Sequence, residues 1–204
     1  MDYSQLASNE TIQKTKAALE KNGYKVIVAE NAAEAKAKAL ELVPKGAEVF
    51  ALSSETLKTI GVTGEIDESG NYKSVRGELN KLDKTTQAKE MRMLGAAPDY
   101  ALGSVHAVTE DGKVLIASNT GSQLPADVCG AGRVIWVVGA QKIVPDEEQA
   151  KKRIYEYVLP LESVRLNKAY NMTAGSFVSF ILTFYRAFSP DRITIILVKE
   201  ALGF

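Results

Sequence analysis

Cysteine and histidine are almost missing from this chain of 204 residues: Cys129 and His106 each stand alone. One cysteine excludes an internal disulfide and cannot by itself hold an iron–sulfur cluster or a cysteine zinc site. One histidine excludes a multi-histidine metal centre, so no metal site is expected. Net charge is absent too, with 25 basic and 25 acidic residues. A balanced chain has no general attraction for nucleic acid or for an acidic bilayer, and neither is expected as a partner. The densest basic run, Lys151, Lys152 and Arg153, reads as the solvated face of a helix. Long apolar runs are also missing. The longest, around Phe177 to Phe184, is interrupted by Ser179 and Thr183 and falls far short of the roughly 20 residues that span a bilayer. The N-terminus is polar and lacks the apolar stretch of a secretory leader, so a soluble, cytoplasmic protein is expected. Walker and dinucleotide fingerprints are absent. Gly130-Ala131-Gly132 is not followed by the helix start that a dinucleotide loop needs.

What is present alternates between strand and helix. Residues 8–22 read as an amphipathic helix closed by Asn22-Gly23, and residues 24–28 as a strand. Asn31 caps a helix running to about Val43, and residues 47–52 form a second strand. Gly61 to Val75 reads as an irregular loop, and 76–95 as one helix. Residues 100–108 and 113–117 form a hairpin around a two-residue Asp111-Gly112 turn. That register places His106 opposite Ala117 and Ser104 opposite Asn119. A buried-type strand follows at 133–138, a helix at 145–157 and a last strand at 192–198. The pattern predicts an α/β fold: a largely parallel sheet with one antiparallel hairpin. It predicts one domain, an N-terminal helix (1–22) followed by an α/β core (23–204). Trp136, Phe177, Phe180, Ile181 and Phe184 read as core, and Cys129 as a buried thiol.

Three strands end in small polar loops: Ser53-Ser54-Glu55-Thr56, Ser118-Asn119-Thr120-Gly121-Ser122 and Gly139-Ala140-Gln141-Lys142. In open α/β sheets ligands bind beyond the carboxyl ends of strands, where helix starts offer unpaired N–H groups. Ser53, Ser54, Thr56, Ser104, Asn119, Thr120, Gly121, Ser122, Gly139, Gln141 and Lys142 are therefore candidate ligand-binding residues for a small anion. The same residue types also serve as ordinary helix caps. His106 is a candidate acid/base or anion donor, and equally a structural histidine. Glu55 is a candidate nucleophile, or simply an acid at a helix start. Lys142 either neutralises an anion or is solvated, and Asp127 has the modest claim of an acid near a helix start.

The stretch from Met93 to Val144, "MLGAAPDYALGSVHAVTEDGKVLIASNTGSQLPADVCGAGRVIWVVGAQKIV", resembles the LUD-domain family, the group that includes the lactate-utilization C-type proteins. "YVLPLES" and the C-terminal "RITIILVKEALGF" extend the likeness across nearly the whole chain. The resemblance implies a fold like the isomerase, deacetylase and CoA-transferase group: a Rossmann-like, mostly parallel sheet with an antiparallel hairpin. It also implies a role in bacterial oxidation of lactate to pyruvate, beside iron–sulfur partner subunits, and leaves assembly into a homo-oligomer open. It names no cofactor for this chain, and it carries over loop positions rather than catalytic roles. The chain departs from the family pattern at Asp127 and Cys129, where relatives often carry aromatics. It departs again at Ser179-Phe180, often Asn-Lys, and at Glu55, commonly uncharged. Three functions are thus expected to compete: a lactate-utilization component that binds a small anionic metabolite or cofactor, a CoA-transferase or isomerase-like enzyme, and a non-catalytic assembly or regulatory subunit.

Overall fold

The computed structural model describes residues 1–170 and 175–204. Its first element, α1 (Asn9–Lys21), starts where the Ser8 hydroxyl accepts the Thr11 N–H. Strand β1 (Lys25–Ala29) leads to α2 (Ala32–Glu41), capped by Asn31. Then come β2 (Glu48–Ala51), α3 (Glu55–Thr59), α4 (Val62–Glu68), the short β3 (Lys73–Ser74), α5 (Val75–Leu79) and α6 (Ala88–Ala96). Strands β4 (Tyr100–Gly103), β5 (Ala107–Thr109), β6 (Val114–Ser118), β7 (Arg133–Gly139) and β8 (Ile143–Val144) fill the middle of the chain. Helices α7 (Glu147–Arg153) and α8 (Leu159–Tyr170) are joined by a π-helical turn, Ile154–Val158. Strands β9 (Phe180–Phe184) and β10 (Ile193–Val198) complete the fold.

A six-stranded sheet in the order β1-β10-β7-β4-β2-β3 is parallel throughout. A second, mixed sheet runs β8-β5-β6-β9. The layers follow from side-chain alternation, because successive strand residues point to opposite faces. In β7, Ile135 and Val137 pack with Ala35, Ala39 and Leu57 from α2 and α3. The alternate residues Val134, Trp136 and Val138 pack with Val108, Val114 and Ile116 of the mixed sheet. The other face of that sheet, Ala107, Leu115 and Ala117, packs with Ala150 and Ile154. The result is helix, sheet, sheet, helix. The α/β, Rossmann-like reading holds, with a second sheet where a lone hairpin is expected.

The structure departs from the sequence reading at the element that matters most. Residues 100–108 are not one strand. Strand β4 ends at Gly103 in the parallel sheet, and β5 begins at Ala107 in the mixed sheet. Their neighbours behave alike: β7 crosses through Ala140–Lys142 and re-emerges as β8, which pairs with β5. Two adjacent strands thus jump between sheets side by side, and Ser104-Val105-His106 and Lys142 sit at the jump.

The hairpin register is also shifted by one residue. Ala107 faces Leu115 and Val108 faces Val114. The loop has three residues, Glu110-Asp111-Gly112, closed by the Gly112 N–H to Thr109 C=O bond of 2.9 Å. Gly112 takes φ +85°, which closes this loop type, and a Cβ there would lie 2.7 Å from the Ala18 carbonyl carbon. Ser104 therefore lies outside the hairpin and does not face Asn119.

Other corrections are local. The 76–95 helix is two helices, because the Asp83 carboxylate accepts the Thr85 and Thr86 N–H groups and holds a turn. The 61–75 loop contains α4, whose Val62 and Ile66 are buried four residues apart. Phe177 and Phe180 are 62% and 48% exposed rather than core. Cys129 is exposed. Arg153 is fully buried instead of solvated.

Candidate functional site

The jump between sheets forms the floor of a cleft of about 1080 Å³. Ser104, His106 and Lys142 line it from the jump, Ser53 to Thr56 from the end of β2, and Ser118 to Gln123 from the end of β6. Leu159, Glu162, Arg165 and Leu166 close one side. Their spacing of three and four residues puts them on one face of α8. Gly175 to Val178 and Phe204 also border it, and α5 and α6 add Arg76, Leu79, Met91 and Arg92 on the opposite side.

Lys142 is the group around which this floor is organised. It is 2% exposed. Its ammonium donates to Thr56 Oγ1, Ser104 Oγ and the Val105 carbonyl, each at 3.1 Å. Both hydroxyls commit their own protons elsewhere, Thr56 to the Leu202 carbonyl at 3.1 Å and Ser104 to the Val137 carbonyl at 2.6 Å. Three acceptors therefore face one nitrogen, which calls for three N–H donors: the charged form. Burial first, and then Arg153, pull in the opposite direction and hold its pKa well below the usual lysine value. The hydrogen-bond pattern decides for the ammonium. Among the described residues no carboxylate pairs with it.

His106 stands beside it. Its Nδ1 accepts the Ala117 N–H at 3.0 Å, which places the ring proton on Nε2. Among the described residues Nε2 has no protein partner, and the ring keeps an open edge on the cleft. Dense packing on its other sides, followed by the Lys142 and Arg153 charges, pulls the imidazole down to about 3. At neutral pH it is a neutral ring offering one N–H. That geometry suits an anion or carbonyl donor, not a cationic acid. The buried Arg153 donates through Nη1 to the His106 carbonyl and lies over the Tyr157 ring at 5.2 Å. Among the described residues its Nε and Nη2 have no hydrogen-bond partner.

Of the three polar loops, two reach the cleft whole and the third only through Lys142. Gly139 and Gln141 point elsewhere. Gln141 Nε2 donates to the Leu202 carbonyl at 3.0 Å and the Gly203 carbonyl at 3.3 Å, tying down the C-terminal segment. A Cβ on Gly139 would lie 2.2 Å from Gln141 Oε1, so that glycine serves packing. The hydroxyls of the second loop largely satisfy one another. Ser118 Oγ accepts the Gly121 N–H at 2.9 Å and donates to Gln123 Oε1 at 3.1 Å, while Thr120 and Ser122 pair at 3.0 Å. Ser54 caps α3 by accepting the Leu57 N–H at 3.3 Å. Ser53 accepts from Arg76 at 3.3 Å. Glu55 lies 3.8 Å from the Arg165 guanidinium, which also grips Glu162 through two bonds of 2.7 and 2.6 Å.

The sequence reading missed Arg153, Arg165 and the α8 face, although the Leu159, Glu162, Leu166 spacing was there to find. It also undervalued Asp127. That side chain is 1% exposed and accepts the Trp136 indole N–H at 2.9 Å. Burial raises its carboxyl to about 7, against the lowering pull of the indole bond and Arg192.

A family model described as the LUD domain matches residues 12–198. The chain belongs to the LUD-domain family. A solved structure similar to this LUD domain is that of a DUF162 family protein from Deinococcus radiodurans. The two share 12% identity at a TM-score of 0.58, covering 95% of this chain and 99% of that one. That likeness concerns the fold alone. No curated protein sequence matches this LUD domain. Among its described residues no helix is long and apolar enough to cross a membrane.

Proposed function

We propose that this LUD-domain protein binds a small organic anion in the cleft. We place that binding in the cytoplasmic oxidation of L-lactate to pyruvate, beside iron–sulfur subunits that carry the electrons. The family name supports the pathway. The observation that carries the ligand class is Lys142, a buried ammonium with three neutral acceptors and, among the described residues, no counter-charge. Removing such an ion from water costs several kcal/mol, and neutral acceptors offset only part of that. Its charged neighbour, Arg153, adds repulsion. An anion entering the cleft supplies the missing charge, with the His106 Nε2–H and the Ser104 side chain close by.

A panel of lactate, pyruvate, CoA esters and nucleotides tests this by thermal shift. A ligand at a hundredfold its Kd adds about 2.7 kcal/mol, or roughly 5–10 °C for a chain of this size. Stabilisation by an organic anion in the native protein, and its loss in Lys142→Met, is the expected result. A folded sample indifferent to every anion contradicts the reading.

A second reading is acyl transfer through Glu55, favoured by the placement of its carboxylate on the cleft beside Arg165. Attack on a thioester would form an acyl-glutamate and release the thiolate. Acyl exchange that survives Glu55→Gln removes it.

A further inference from the structure

We infer that the ligand is a two-part molecule: an acidic head that accepts the His106 Nε2–H within the field of the buried Lys142 ammonium, and an extended apolar portion lying along α8 and residues 175–178. This rests on the anion reading above and specifies its substrate class. A three-carbon acid such as lactate or pyruvate has six heavy atoms. At roughly 30 Å³ each, the liquid share of a water molecule, these occupy about 180 Å³. The cleft holds about 1080 Å³. A three-carbon acid leaves most of it to water.

On the α8 side the apolar lining comprises Ile154, Val158, Leu159, Leu166, Phe177 and Val178. This apolar wall starts directly at the head site. Ile154 and Val178 pack in one cluster with Ala107 and Ala117, and Ala117 is the residue whose N–H fixes the His106 ring. Phe177 is 62% exposed although it borders the cleft. An exposed aromatic on a concave surface gains contact area when an apolar group enters. The polar floor alone would not require such a wall.

The test is a chain-length series of 2-oxo acids measured by calorimetry on the full protein: pyruvate, 2-oxohexanoate and 2-oxooctanoate, with 2-octanone as the headless control. Each methylene placed on the wall tightens binding by up to about fourfold. Allowing for chain ordering, 2-oxooctanoate is expected to bind at least about 30-fold more tightly than pyruvate. Phe177→Ser, a change at an exposed position, should cut that gain. Lys142→Met should weaken every acid. Equal affinities for pyruvate and 2-oxooctanoate overturn the two-part ligand and leave the anion reading standing. A chain-length gain that persists in both Phe177→Ser and Leu166→Ser overturns it as well, because the tail then lies elsewhere. So does 2-octanone binding as tightly as the acid. If no acid binds at all, the anion reading falls together with this inference.

Discussion

Replacing Asp127 by Asn should make this protein more stable at pH 8 and barely change it at pH 4. The carboxyl group is buried at 1% exposure against Trp136, and burial lifts it from 3.8 to about 7. The sign follows from linkage. Below pH 4 the group is protonated both folded and unfolded, so it contributes no pH dependence. Between pH 4 and 7 the unfolded chain releases the proton and the folded chain retains it. Stability therefore falls as pH rises through this window and levels off above it. Three pH units at 1.36 kcal/mol each give a loss of about 4 kcal/mol, an order-of-magnitude figure. Asparagine keeps an acceptor for the Trp136 indole N–H and has no proton to release. Urea unfolding of both proteins at pH 4.5 and 8, followed by circular dichroism, isolates the difference from the rest of the titrating groups. The expected advantage of Asp127→Asn is about 2–4 kcal/mol greater at pH 8 than at pH 4.5. An advantage that is the same at both pH values, or a native protein that is the more stable one at pH 8, refutes the reasoning.

His106, the only histidine, should stay neutral with its proton on Nε2 from pH 5 to 8, because its folded pKa is about 3. Nitrogen-15 spectra of the ring would show no titration in that range, and a midpoint near 6.5 would contradict the geometry. Arg153→Met should stabilise the protein by about 1–3 kcal/mol, since it removes a buried guanidinium with two nitrogens that lack a hydrogen-bond partner among the described residues. The same variant should bind organic anions more weakly, and chemical denaturation with calorimetry reads both effects. Gly130→Ala should destabilise by about 3 kcal/mol or more, because its Cβ would stand 1.7 Å from the Ala96 carbonyl oxygen. A melting temperature within two degrees of the native one would show that this contact relaxes.

Local features were legible in the sequence because they are decided by neighbours in the chain. Asn31, Ser54 and Asp146 cap helices as their types suggest. Strands β1, β2, β7 and β10 lie within one residue of their expected spans. What failed was non-local. Nothing within residues 100–108 announces that Gly103 belongs to one sheet and Ala107 to another, because the switch is set by β7 and β8 crossing alongside. The shift in hairpin register came from reading Asp111-Gly112 as the whole turn, when Glu110 belongs to it. Charge misled as well. Lys142 and Arg153 are residue types that sequence places in water, and only the packed jump between sheets shows both buried. The aromatics erred in the other direction, with Phe180 left partly in the open on the edge strand β9 and Phe177 exposed in the segment before it. Of the candidate site, the first two loops, His106 and Lys142 were named from sequence, but Gly139 and Gln141 turned out to serve the C-terminal segment.

The central claim is that Lys142 is a buried charge waiting for an anion. Calorimetric titration of the native protein and of Lys142→Met with the same organic acid tests it most directly. The account predicts saturable binding to the native protein alone, with the variant folded and unresponsive. Equal affinity in the two proteins would contradict it.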